Sequence, residues 1–233
     1  MSVLYVAEIG MNHNGNFDLA LELIRKAKES GANIAKFQFG WRDKPDEINC
    51  INLDIASRLK EYSDYCEIEF MASIITEKAL DLALKIGVNR FKVASRTVVE
   101  NPDLCRNIIN EGKEVFCSLG FWNKDNFPFG EPNDKLRYIY CVSEYPALPE
   151  NMKNFPKFFS DDTYYGYSDH YLGNAACLLA ISRGAKFIEK HFTLNKSSQV
   201  IRDHTLSASP DEFKLIVSQG NEIFRLNNFL KNN

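Results

Sequence analysis

Long apolar runs are missing from this 233-residue sequence, and no stretch reaches the roughly eighteen residues that cross a bilayer. The opening residues MSVLYVAEIG have no basic segment and no small-residue cleavage site, so they read as a first strand and not as a leader. There is no basic block, and the net charge is −3, which argues against a nucleic-acid partner. No CxxC pair occurs. The six cysteines (Cys50, Cys66, Cys105, Cys117, Cys141 and Cys177) are scattered, several of them inside apolar runs. They read as reduced core residues of a cytoplasmic protein with no membrane partner. No GxGxxG follows the first apolar run, which weakens a dinucleotide-binding reading. Histidine is scarce, with four in the chain. What is present is ordinary: 45% hydrophobic and 25% charged residues, the composition of a folded globular chain.

The order of patterns along the chain is β then α, repeated. Apolar runs predict strands at 4–9, 33–39, 67–73, 90–94, 114–119, 138–143, 164–168 and 187–192. Helical periodicity covers 17–30, 54–66, 77–86, 102–111, 173–183 and 210–230. Asn101-Pro102 and Ser209-Pro210 each place a capping residue before a helix-starting proline. Glycines at 31, 87, 112 and 184 sit where helices should end. The one weak unit is 121–132, rich in Gly, Pro and Asn, which reads as a loop in place of a fifth helix. Eight βα units in a chain of this length predict a single-domain α/β fold, a (β/α)8 barrel over residues 1–233. An open, doubly wound parallel sheet is the alternative.

Parallel strands buried on both faces should be nearly continuous in apolar residues. These are, except toward their C-terminal ends. There Glu8, Lys36, Gln38, Ser73, Lys92, Ser118, Ser143, Tyr145, Ser168, His170, Glu189 and His191 collect. Within each strand the polar residues share parity, and side chains alternate with period two, so each set faces one way. One polar residue at a strand end is usually a solvated rim position. A set drawn from all eight strands, with two lysines and two histidines, points instead into the C-terminal mouth of a barrel. Lys36, Lys92 and the hydroxyls suit a phosphate and a carboxylate. His170 and His191, on adjacent strands, suit a divalent transition metal with positions left open, the alternative being two satisfied hydrogen-bonding groups. Asp169 has the opposite parity to His170 and reads as an orienting or structural group. His13 lies in a loop and is ambiguous; His204 reads as a surface residue.

Several segments together are similar to one family: AEIGMNHNGNFDLALELIRKAKESGANIAKFQ (7–38), FKVAS (91–95), CVSEYPA (141–147), GYSDH (166–170), IEKHFTLN (188–195) and DHTLSASPDEF (203–213). The chain resembles the N-acetylneuraminate (sialic acid) synthases, including those making legionaminic and pseudaminic acids. The resemblance implies a barrel that condenses phosphoenolpyruvate with an N-acetylated hexose such as N-acetylmannosamine, releasing phosphate. It implies a divalent metal on His170 and His191, manganese above magnesium or cobalt. It implies phosphoenolpyruvate contacts at Lys36, Lys92, Ser73, Ser95, Ser118, Ser143, Tyr145 and Ser168, and sugar-side residues at Glu8, Gln38, Glu189 and Asp203. Glu8, Lys36 and Lys92 are the candidate catalytic groups. A metal-dependent isomerase would have no use for the lysines and the serine set.

The departures from that family fall on the sugar side. Its C-terminal antifreeze-like domain, which brings an arginine to the N-acetyl group from a partner subunit, has no match in these residues. The expectation is therefore a barrel without that domain, working as a homodimer or with a separate lid protein. Arg96-Thr97 stands where the family often has Gly-Glu, and the loop after the fifth strand lacks its helix. Arg96 and Arg202, both next to site positions, are candidates to replace the missing arginine. A non-catalytic helper that binds sugar or phosphoenolpyruvate is the other reading.

Overall fold

The computed structural model describes residues 2–41, 44, 47–198 and 200–231. Eight parallel strands close into a barrel in chain order: β1 (Leu4–Gly10), β2 (Ile34–Phe39), β3 (Glu69–Ile74), β4 (Arg90–Val93), β5 (Glu114–Ser118), β6 (Leu136–Cys141), β7 (Tyr164–Asp169) and β8 (Phe187–His191). The helices are α1 (Phe17–Glu29), α2 (Leu53–Tyr65), α3 (Glu77–Lys85), α4 (Ser95–Glu100), α5 (Pro102–Asn110), α6 (Ala175–Ser182) and α7 (Pro210–Lys231). None is long and apolar enough to cross a membrane among the described residues.

Local signals start the helices. The Asn16 side chain accepts from the backbone N–H groups of Asp18 and Leu19 to begin α1. Thr76 caps α3 through Ala79 N–H, and Asn101 caps α5 ahead of Pro102. Period-two alternation then divides each strand. Outward residues such as Tyr5, Phe37, Phe70 and Tyr167 join the helices in the main core. Inward residues Val6, Ile34, Met71, Phe116, Ile139 and Phe187 fill the lower barrel, with the rings of Phe116 and Phe187 stacked 4.6 Å apart. That apolar plug forms a solid floor under the polar mouth.

Two expectations about the outer ring need correction. The loop after β5 does lack a helix, but so does the segment after β6, which holds only the short 3-10 turn Pro149–Asn151. Pro146, Pro149 and Pro156 lie within this segment, and proline removes the N–H donor that a helix interior needs. Conversely, α4 is a six-residue helix that no periodicity marked, too short to show two turns of pattern. Strand ends move by up to two residues. β3 starts at Glu69 because Glu67 takes φ +56, and β6 ends at Cys141, so Ser143 and Tyr145 sit in the following loop.

His13 and His204 are both buried. His204 is therefore not a surface residue: its ring bridges Thr193 Oγ1 at 2.7 Å and Asn14 Oδ1 at 2.9 Å. His13 packs on Phe17 and Phe37 while its Nδ1 accepts from Gly15 N–H at 3.2 Å. Burial lowers His13 from 6.5 to about 4. The fold thus favours the neutral ring. The associated stability is full above pH 6.5 and is lost as pH falls through 4, an amount of about 3 kcal/mol. Denaturant unfolding at pH 7 and pH 4.5 should show a smaller acid loss in His13→Asn than in the parent. Equal losses would mean that the ring is not held neutral.

Candidate active site

The upper barrel and its loops enclose a cavity of about 630 Å³. Every residue expected at the mouth lines it: Glu8, Lys36, Gln38, Ser73, Lys92, Ser95, Ser118, Ser143, Tyr145, Ser168, His170, Glu189, His191 and Asp203. Strand register sets who meets whom. His191, Glu8 and Lys36 pair across β8, β1 and β2 in one row. Ser73 pairs with Lys92, and Ser168 with Glu189. Just beyond β5, Gly120 leaves room at the wall; a Cβ there would lie 2.3 Å from Ser143 Oγ.

The floor of the cavity is an ionic cluster. Lys36 Nζ lies 2.7 Å from Glu8 Oε2 and 3.6 Å from Glu189 Oε2, and donates to Ser73 Oγ at 2.8 Å. Lys92 Nζ lies 3.7 Å from Glu189 Oε1 and donates to Ser118 Oγ at 2.7 Å. Ser168 donates to Glu189 at 2.7 Å, and Gln38 to Glu8 at 2.8 Å. Burial opposes the charge on Glu189, but the two ammonium groups and Ser168 outweigh it and hold the carboxyl at about 2. Burial opposes the charge on Lys36 as well; Glu189 and Glu8 outweigh it and raise its ammonium above the usual range. Two cations balance two carboxylates, so an incoming anion shares the lysines with Glu8 and Glu189. Parity placed Glu189 in the mouth, but its contact with both lysines is a cross-barrel relation that strand patterning does not carry.

The imidazole pair stands beside this cluster, with ring centroids 5.5 Å apart. His170 Nδ1 lies 2.6 Å from the carbonyl oxygen of Val142, so Nδ1 carries the hydrogen and Nε2 keeps its lone pair. Burial, then neighbouring His191, lowers His170 to about 4 and keeps it neutral. His191 Nδ1 lies 3.8 Å from Asp203 Oδ2, and that nitrogen and Asp203 Oδ1 are buried without hydrogen-bond partners. Among the described residues no three His, Cys, Asp or Glu side chains converge as a metal cage. The free Nε2 of His170 and the unpartnered His191 ring are two donors suited to a divalent ion, whose other positions would fall to water or substrate oxygen.

The mouth's upper wall was less visible beforehand. Tyr145 stacks on His170 with centroids 4.2 Å apart, and Ser95 and Ser143 share a 2.7 Å hydrogen bond. Trp41, Phe121, Val200 and Ile201 also line the cavity from loops, where side-chain alternation stops and no period marks them. Asp169 faces outward, as its parity implies. It accepts from Tyr167, Tyr171 N–H, Cys177 and Lys190 beneath α6.

A closed parallel barrel with paired lysines, carboxylates and imidazoles at its C-terminal mouth defines a (β/α)8 enzyme built to handle an anion. The profile of the NeuB family matches residues 46–228, and the chain belongs to that family. It is 30% identical to the N,N'-diacetyllegionaminic acid synthase of Legionella pneumophila over 93% of this chain and 71% of that protein. It is 29% identical to human N-acetylneuraminate-9-phosphate synthase over 91% of this chain and 67% of that one. The crystal structure of the sialic acid synthetase of Leptospira borgpetersenii superposes with a TM-score of 0.83 at 27% identity, covering 97% of this chain and 85% of that one.

Proposed function

We propose that this barrel joins C3 of phosphoenolpyruvate to the aldehyde carbon of an N-acetylated hexose of the N-acetylmannosamine type. Water enters at C2 and phosphate leaves by C–O cleavage, giving a nine-carbon 2-keto-3-deoxy sugar acid. The chain is a transferase of the N-acetylneuraminate synthase type by its family and its relatives. The observation that carries the finer reading is the meeting, in one cavity, of the Lys36–Lys92 cluster with the His170–His191 pair.

Lys36 and Lys92 take the phosphate and carboxylate of phosphoenolpyruvate, while Ser73, Ser95, Ser118, Ser143, Ser168 and Tyr145 supply hydroxyl donors. Glu8, fixed by Gln38 and Lys36, is placed to orient the attacking water or a sugar hydroxyl or to carry a proton. Gln38, Glu189 and Asp203 face the sugar side. His170 and His191 hold the metal; manganese is the first choice, with magnesium and cobalt as alternatives. When bound, that ion supplies Lewis acidity toward the aldehyde oxygen. The apolar plug and the buried wall limit bulk water, which strengthens each of these electrostatic contacts.

The test is phosphate release from phosphoenolpyruvate with each metal and a panel of N-acetylated hexoses, with product mass measured. The expected product has the mass of sugar plus phosphoenolpyruvate plus water minus phosphoric acid. No release with any acceptor would overturn the reading in favour of a binding homologue. His170→Asn and His191→Asn should each weaken manganese binding by more than the roughly 10- to 100-fold that loss of a supporting partner costs. Unchanged metal affinity in both would remove the pair from the metal role.

A further inference from the structure

We propose that Arg202 reads an anionic substituent on the acceptor, a phosphate monoester or a carboxylate, so that the acceptor is an acidic sugar. This inference rests on the condensation proposed above. It starts from a stack at the mouth. The His170 ring carries the Tyr145 ring at 4.2 Å, and the Arg202 guanidinium carbon lies 4.3 Å from the Tyr145 centroid on the rim. A guanidinium laid over an aromatic ring keeps its N–H edges free for a forked contact with an oxyanion.

Among the described residues the guanidinium makes no hydrogen bond, and its ionic neighbour is Asp203. The Arg202 side chain is 71% exposed although it lines the cavity. Its nearest carboxylate oxygen, Asp203 Oδ1, stands 3.6 Å from Nε, beyond hydrogen-bond reach. Among the described residues, the other cations of the mouth make closer contacts. On the floor Lys36 Nζ is 2.7 Å from Glu8 Oε2, and Lys92 Nζ donates to Ser118 Oγ at 2.7 Å. Arg96, the second rim guanidinium, is 3.0 Å from Glu100 and leans on Phe121.

The base of Arg202 is anchored while its head is open. It begins the 3-10 turn Arg202–Leu206, which His204 ties to Thr193 and Asn14. Ser207 closes the turn by donating to the Asp203 carbonyl at 2.6 Å, and Asn12 holds Ser207 at 3.0 Å. A fixed backbone and a stacked head reduce the ordering cost of binding. The anion at Arg202 is distinct from the one at the floor lysines. It belongs to the end of the acceptor away from the aldehyde, which lies by the imidazole pair.

The experiment measures binding directly, so it does not depend on turnover. Manganese-loaded protein, without phosphoenolpyruvate, is titrated calorimetrically with N-acetylmannosamine, its 6-phosphate and the corresponding uronic acid. One acidic sugar should bind about 10- to 100-fold more tightly than the neutral one, and which acid wins distinguishes phosphate from carboxylate. In Arg202→Ala the ratio of acid to neutral affinity should fall to near one. Arg202→Lys should recover part of it, and Arg96→Ala should keep it. Equal binding of neutral and acidic sugars by the parent overturns the proposal, as does an Arg202→Ala variant that weakens all three alike. If the acids bind selectively through Arg202 but no phosphate is released, the condensation reading fails and the acidic-ligand site stands.

Discussion

Replacing Lys36 with alanine is expected to lower kcat/KM for phosphate release by at least about 1,000-fold, beyond the range for loss of a single oxyanion donor. Lys36 touches both Glu8 and Glu189, so its removal leaves buried Glu8 with the neutral donor Gln38 and Glu189 with Lys92 and Ser168. Breaking a buried pair from one side costs about 3–5 kcal/mol. The pH dependence has a definite sign. Glu189 is held at about 2 against an ordinary 4.5, so its stabilising contribution is full above pH 4.5 and is lost as pH falls through 2. Without Lys36 the carboxyl rises, and acid unfolding begins at higher pH. The double variant Lys36→Ala/Glu8→Gln removes one of the buried charges left without its partner. It should regain stability without regaining activity. Denaturant unfolding and phosphate release, run side by side, separate the two roles. A single variant as stable as the parent would show that the cluster serves binding alone.

Lys190→Met is expected to have the opposite profile: a large loss of stability with chemistry retained. Lys190 neighbours His191 in the chain but points away from the mouth. Its Nζ lies 2.8 Å from Asp169 Oδ2, with side-chain exposures of 1% and 0%. Methionine keeps the volume and removes the charge, leaving Asp169 with the neutral donors Tyr167, Tyr171 N–H and Cys177. An uncompensated buried carboxylate should cost about 3–5 kcal/mol. For a chain of this size that lowers Tm by roughly 10 °C. Below the transition, kcat should stay within a few-fold of the parent, because no atom of the pair lines the cavity. An unchanged Tm would make the pair dispensable. A collapse of kcat at full folding would mean that it sets the position of the adjacent histidines.

The contrast between these two lysines shows how much was legible in advance. Lys36 and Lys190 both sit in apolar strand runs, and period-two alternation assigns them to opposite faces. The same alternation separates His170 from Asp169 and His191 from Lys190. All eight strands were legible for this reason, because two-sided burial leaves a dense apolar signature with polar residues at one end. Where the chain leaves the strands, the signal fades. Ser143 and Tyr145 were read as strand positions but belong to a loop. The missing sixth helix and the short α4 went unmarked. His204 was taken for a surface group, because a buried hydrogen-bonding histidine next to an aspartate has no period to show it.

Thus the sequence by itself determined the order of the eight strands, the inward parity of the polar set and the opposite parity of Asp169. Only the tertiary structure decided that Glu189 bridges two lysines, that Tyr145 stacks between His170 and Arg202, and that His204 anchors the turn carrying Asp203. The reason is physical. Alternation and capping act between near neighbours in the chain, whereas cross-barrel contacts depend on closure, strand stagger and loop packing, which bring together residues such as Lys36 and Glu189 from β2 and β8.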